Sequence, residues 1–382
     1  MSLAGALLGL TLLSVTAYAL LGGADFGAGF WDLIAGDPQQ GAARRALIRH
    51  SIGPVWEANH VWLIFVLVLA WTAFPPLFAA VASTLYIPLT LVAIGIIARG
   101  SAFAFGKALT EVSQQRLFGA AFAFSSVITP FFWGTIAGAI ASGRVPPGLA
   151  RGNIITSWAN PTSLTCGVLA VGVCAYLSAI YLTADARRGG HTDLAEYFRR
   201  QGLISGIVVG LLALAAIAVV RGDASQLYHR LTDRGLALVV ASLAMGFLSL
   251  LLLAGRHYVA VRVSAALAVT AVLWAWGVGQ YPQLLPGLDV DHAAAAHATL
   301  QATAVTSVIG LVVLIPSLAW LFVLFQGGHS AEQRINTAAR GDNGGVRSDS
   351  SSGQCRDLGL VRRWRGRPKD TSGGRQCGRY FS

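Results

Sequence analysis

The sequence predicts an all-α integral membrane protein with nine transmembrane helices, N-terminus outside and C-terminus inside. Three observations carry that prediction. Only 12% of the 382 residues are charged and mean hydropathy is +0.60, whereas a soluble domain has about 25% charged residues. Nine apolar stretches approach the ~20 residues that a span requires. Basic residues concentrate in alternate loops, as they do on the cytoplasmic side of membrane proteins.

The stretches cover 3–24, 55–74, 77–98, 117–141, 162–184, 202–220, 235–254, 258–279 and 302–325. No basic residue and no small-residue cleavage site accompany the first, which therefore reads as a retained helix rather than a signal peptide. Phe74-Pro75-Pro76 parts the second from the third, because a helix cannot run through adjacent prolines. With the N-terminus outside, the cytoplasmic loops hold Arg44, Arg45, Arg49, Arg99, Lys107, Arg116, Arg187, Arg188, Arg199, Arg200, Arg256 and Arg262. The external loops hold Arg144, Arg151, Arg221, Arg230 and Arg234. Twelve against five fixes the expected orientation.

Two regions follow: a polytopic membrane domain over 1–326 and a basic Gly/Ser/Arg-rich cytoplasmic tail over 327–382. The tail has 11 basic and 5 acidic residues, so it carries six of the eleven net positive charges. Its few large apolar residues predict disorder. Arg362-Arg363-Trp364-Arg365-Gly366-Arg367 could meet anionic lipid, but a linker-like tail is the simpler reading. The sequence pI of about 10.1 comes from this tail and the loop arginines, so no nucleic acid is expected as a partner. Cys166 and Cys174 read as small core residues, Cys355 and Cys377 fall in the tail, and no CxxC or CxxCH occurs.

Chemistry concentrates on Ser51-Ile52-Gly53-Pro54-Val55-Trp56-Glu57-Ala58-Asn59-His60-Val61-Trp62, which opens the apolar run from Leu63. Ionisable groups at the mouth of a span cost several kcal/mol unless paired or hydrated. Topology sets three such groups at similar depth on the cytoplasmic side. Asp25 lies at the inner end of span one, within Gly22-Gly23-Ala24-Asp25-Phe26-Gly27-Ala28-Gly29; Glu57 starts span two; Arg99 ends span three. An acid left there without a full partner can exchange protons near neutrality. Glu57 and His60, three residues apart, share a helix face, and Asn59 adds a donor and an acceptor beside them. Carboxylate, imidazole and amide together can relay a proton.

Blander readings compete. Asp25 and Glu57 are equally readable as hydrated headgroup-level acids, Arg99 as a snorkelling anchor, and Trp56 and Trp62 as belt residues. Of eight histidines only His60 lies near a span's apolar body. His292 and His297, near Asp289 and Asp291, lack the i,i+4 spacing of a helical metal pair, so no metal site is expected. Glu111 and the Arg187–Arg200 region read as solvated faces. Asp223, Arg230, Asp233 and Arg234 read as an ordinary mixed-charge loop.

These residues carry a resemblance. Gly23-Ala24-Asp25-Phe26-Gly27-Ala28-Gly29, Gly53-Pro54-Val55-Trp56-Glu57-Ala58-Asn59-His60-Val61-Trp62-Leu63, Phe74-Pro75 and Arg99-Gly100-Ser101-Ala102-Phe103 follow one another as in subunit II of the cytochrome bd-type quinol oxidases. Tyr281-Pro282-Gln283-Leu284-Leu285-Pro286, ahead of Thr299-Leu300, is a later match. The resemblance covers residues 1 to about 326. It implies two four-helix bundles plus one peripheral helix, in a multi-pass protein of the bacterial cytoplasmic membrane. It implies a heterodimer with a haem-bearing subunit I, which holds haems b and d and oxidises membrane quinol. It allows a structural quinone, with no residue here assigned to it, and small accessory subunits.

Subunit II would then stabilise the haem subunit and conduct cytoplasmic protons for reduction of O2 to water. The acids implicated match Asp25 and Glu57, with His60, Asn59 and Arg99 supporting. The chain departs from the pattern Trp-Asp-Gly-Asn-(Glu or Gln) at Glu57, Ala58 and His60, and it has Ala104 and Gly106 where charged residues are often found. Two other readings compete: a stand-alone proton-coupled transporter and a purely structural assembly subunit.

Overall fold

The computed structural model describes residues 2–37, 39, 41–52, 56–106 and 112–342. Gly53-Pro54-Val55, Lys107, Glu111 and the tail residues 343–382 lie outside them, and the stretch 327–342, where the sequence predicts disorder, is helical. In order, the elements are α1 (Leu3–Leu33), α2 (Ala42–Ile52), α3 (Trp56–Ala73), α4 (Pro75–Thr84), α5 (Tyr86–Gly106), α6 (Val112–Ala141), α7 (Pro161–Arg188) and α8 (Thr192–Asp223). They continue with α9 (Ser225–Asp233), α10 (Leu236–Ala254), α11 (Tyr258–Gln280), the short hairpin β1 (Gln283–Leu285) and β2 (Leu288–Asp289), α12 (Val290–Ala293) and α13 (His297–Asp342). Among the described residues eight helices are long and apolar enough to cross a membrane, or nine if the α3–α4 pair is one broken span.

That pair shows what proline does to an apolar run. Phe74 ends α3, Pro75 and Pro76 open α4 in the first-turn positions that proline tolerates, and the two helices are bent by 117°. The expected span over 77–98 is not one helix. Its helix breaks at Leu85, whose N–H closes α4 on Val81 (2.9 Å), and α5 restarts at Tyr86. Pro88 weakens this junction: without an N–H it cannot bond the carbonyl of Thr84, so that rung of a continuous helix is missing. α5 then runs on to Gly106, which carries Arg99 well inside a helix rather than at its end.

The body exposes apolar side chains over its surface and buries a set of polar ones within an otherwise apolar core. Asn59, Arg99, Ser126, Thr129 and Ser178 are buried, while Ile207, Leu211, Val240, Phe247, Val308 and Val312 are exposed. Every backbone polar group within lipid needs an internal partner, which the helices supply. α1 packs on α3, α6 and α7, α5 pairs with α6, and α7 packs on α8; α10 pairs with α11. Close approach rests on small residues. A Cβ on Gly27 of α1 would lie 1.9 Å from the Cys174 carbonyl oxygen of α7, and one on Gly134 of α6 would lie 2.4 Å from that of Cys166.

Two buried clusters mark the ends of the body. One joins the start of α1, the α3–α4–α5 turn, the end of α6 and the hairpin, through Leu7, Leu69, Phe74, Leu85, Ile136 and Leu285. The other joins the end of α1, α2, α7 and the start of α8, through Trp31, Ile48, Leu182 and Phe198. There the Trp31 indole donates to the Ala175 carbonyl (2.8 Å).

Several charges at the helix ends make ion pairs, and those from 187 to 200 are largely exposed, as expected of a solvated face. Asp223, at the end of α8, takes Arg144 (2.5 Å) and also accepts from the backbone N–H (3.1 Å) and hydroxyl (2.6 Å) of Thr162 at the start of α7. A carboxylate there meets the positive end of the α7 dipole. Glu196 pairs with Arg199 (2.6 Å) and Arg256 (3.5 Å), and Arg187 lies over the Tyr258 ring. Beside the hairpin, Asp289 accepts from the His292 backbone (2.9 Å) and bonds its ring (2.7 Å); these bonds hold the Asp289 carboxyl below its usual range.

Candidate functional site

α1 does not stop at residue 24. It continues to Leu33, so Asp25 lies about two turns inside the helix rather than at its inner end. The glycines around it mark where neighbours press in, not where the helix breaks. Gly27 faces α7, and Gly29 faces α6, where an added Cβ would lie 2.1 Å from Ser126 Oγ.

From α3, Asn59 reaches Asp25. Its amide donates to Asp25 Oδ2 (2.5 Å) and to the Leu21 carbonyl (3.3 Å), and Asn59 is only 4% exposed. From α5 comes Arg99, at 1% exposure the largest fully buried side chain among the described residues. It donates to the backbone carbonyl of Asp25 (2.8 Å) and to Ser126 Oγ. Its guanidinium lies over the rings of Phe26 (4.8 Å) and Phe122 (4.7 Å). The snorkelling reading of Arg99 is therefore corrected. Two oxygen acceptors and two aromatic faces replace water around the charge, and cation–π contact gains strength where solvent is excluded.

Glu57 and His60 turn the other way. Glu57 is exposed in the first turn of α3, and with His60 it lines a groove of about 400 Å³ completed by Leu63, Ile64, Ile96 and Gly100. Glu57 and His60 thus share one face of α3, as their spacing requires, while Asn59 looks inward to Asp25. His60 connects the two places. Its ring stands edge-on to Tyr18 (6.0 Å between centroids) and Phe26 (6.3 Å), and Tyr18 in turn stands edge-on to Trp133 (6.4 Å).

The five expected residues therefore form two adjoining sets. Asp25, Asn59 and Arg99 meet in the interior of the body, while Glu57 and His60 meet at a groove on its surface. Tyr18, Phe26, Phe122, Ser126 and Trp133 belong to the same neighbourhood and were not singled out from sequence. Only Ser126 left a trace there: hydroxyls at Ser125, Ser126 and Thr129 just before Pro130 are unusual within an apolar stretch.

A carboxylate held by one amide beside a buried guanidinium, next to an exposed acid and a half-buried imidazole on one helix face, has the components of a proton relay. Among the described residues no group of three or more His, Cys, Asp or Glu is placed to hold a metal ion. Asp289 and His292 are used in capping α12.

The model of the family described as cytochrome bd terminal oxidase subunit II matches residues 3–325. The chain is 30% identical over 211 residues to cytochrome bd ubiquinol oxidase subunit 2 of Bacillus subtilis (strain 168), over 54% of this chain and 60% of that protein. It is 21% identical over 320 residues to the putative cytochrome bd menaquinol oxidase subunit II of the same organism, over 81% and 91%. With cytochrome bd-I ubiquinol oxidase subunit 2 of Escherichia coli (strain K12) it shares 28% identity over 172 residues, covering 43% of this chain and 44% of that protein. A chain from the structure of bd oxidase from Geobacillus thermodenitrificans superposes with a TM-score of 0.71 at 24% identity, over 85% of this chain and 99% of that one. The superposition extends the likeness to the fold.

Proposed function

The chain belongs to the cytochrome bd terminal oxidase subunit II family, and from that membership we propose that it works as the haem-free subunit of a bd-type quinol:O2 oxidoreductase. In this reading it pairs with a haem-bearing subunit I, which carries haems b and d and oxidises membrane quinol, with small accessory subunits and a structural quinone as further components. No step is assigned to those groups through residues of this chain. Its own contribution is twofold: it stabilises the partner, and it conducts cytoplasmic protons to it. The proposed topology is nine spans in two four-helix bundles plus peripheral α13, N-out and C-in, with a cytoplasmic tail from residue 327.

One observation carries the proton reading. Asp25 sits inside a helix bundle, hydrogen-bonded by Asn59 and adjoined by the fully buried Arg99, and from the same turn of α3 as Asn59, Glu57 and His60 line a surface groove. Glu57 takes protons at the groove, His60 stands between groove and interior, and Asp25 is the internal carrier. Asn59 orients the Asp25 carboxylate, and Arg99 supplies the compensating charge. An acid that served only as a headgroup-level anchor would not need a buried amide and guanidinium around it.

A structural assembly role has its own support. Arg99 grips α1 through the Asp25 backbone carbonyl, which ties α5 and α6 to α1 whatever the carboxylate does. Purification tests the oxidase reading as a whole. The expected result is co-purification with a second membrane subunit and the absorption bands of b- and d-type haems. A colourless single-chain protein that moves a solute in liposomes would support a stand-alone transporter and contradict it.

A further inference from the structure

We infer that Ser126 of α6 is a positioning residue whose hydroxyl occupies Arg99 and so keeps the guanidinium off the Asp25 carboxylate. The inference rests on the reading of Asp25 as a proton carrier. A serine hydroxyl has one proton to donate and lone pairs to accept with. Here the proton goes to the Phe122 carbonyl (2.6 Å), so the oxygen faces Arg99 as an acceptor. The polarity of the chain is thereby set: Arg99 N–H to Ser126 oxygen, Ser126 O–H to Phe122 carbonyl.

The surroundings are shaped for this contact. Pro130 has no N–H to bond the Ser126 carbonyl, so this turn of α6 lacks a rung. The hydroxyls of Ser125, Ser126 and Thr129 are instead tied back to carbonyls one turn earlier (3.0, 2.6 and 2.8 Å). Phe122, four residues before Ser126 on the same face of α6, lies under the guanidinium, and Phe26 lies on α1 across from it. Opposite Ser126, α1 has room only for glycine: a Cβ on Gly29 would lie 2.1 Å from Ser126 Oγ and 3.3 Å from an Arg99 nitrogen.

Without that acceptor, Arg99 would have an N–H to satisfy in a place closed to water, and a guanidinium prefers a carboxylate above other acceptors. Asp25 already lends Arg99 its backbone carbonyl, which holds the guanidinium beside this residue of α1. An Arg99–Asp25 ion pair would leave the carboxylate permanently charged and unable to carry a proton.

The test is a double-mutant cycle on the purified oxidase complex, comparing wild type, S126A, D25N and S126A/D25N for quinol-driven O2 consumption at matched haem content. We expect S126A to assemble normally and to lose about tenfold in rate, the scale of one hydrogen bond to a charged group. In the D25N background S126A has no carboxylate to trap and changes the rate less than twofold. Effects of S126A and D25N that simply multiply would overturn the inference, because a packing role acts regardless of residue 25. A wild-type rate for S126A, or failure of S126A to assemble, would overturn it as well. A wild-type rate for D25N overturns the carrier reading itself, and D25N alone distinguishes that outcome.

Discussion

Arg99 shows how much one side chain can depend on its surroundings. A guanidinium taken out of water loses hydration worth several kcal/mol, and its place at 1% exposure is sustained by two oxygen acceptors and two aromatic faces. Arg99→Ala is expected to cost about 3–5 kcal/mol, the range for breaking a buried charged network, seen as a lower Tm and a lower yield of assembled complex. Arg99→Lys should recover little of this, since an ammonium cannot stack between rings and serve two divergent acceptors at once. Sequence placed Asp25, Glu57 and Arg99 at a common depth and put Glu57 with His60 on one helix face, because both follow from topology and helical periodicity. It could not separate the interior set from the groove set. That depends on how α3 is rotated about its axis, which packing against α1 decides.

At the scale of elements, prolines and glycines mark boundaries and contacts differently. The α3–α4 break was legible at Pro75-Pro76. The break at Leu85 was not, because hydropathy continues unbroken through Pro88. The amphipathic helices α2 and α9 were also missed, since neither is apolar enough to stand out as a span. The glycines near Asp25 read as room for a neighbouring helix, and the structure names the neighbours as α6 and α7. Gly27→Ala should therefore force α1 off α7, costing about 1–3 kcal/mol as overpacking does. Gly9→Ala, where an added Cβ meets nothing within 4 Å, should stay within about 0.5 kcal/mol of wild type. Thermal unfolding of the two variants side by side checks the contrast.

The unit Met1–Gln326 is a helical body with many apolar side chains exposed on its surface, and low charge with high hydropathy announced that much. Orientation is the part carried by the basic loop residues alone. In a background with Cys355 and Cys377 replaced by serine, Leu149→Cys in the exposed α6–α7 loop should react with an impermeant maleimide in intact cells. His191→Cys, between α7 and α8, should react only after lysis; the reverse pattern would invert the proposed topology. In the proposed function, protons cross from this body to its partner. The most direct test of that transfer is O2 consumption by the purified complex carrying Asp25→Asn, Glu57→Gln and both together, with haem content confirmed equal to wild type. We predict that each substitution slows turnover by about tenfold or more and that the double variant is slowest, at full assembly. Wild-type turnover in the double variant would contradict the proton path and leave the chain a structural role.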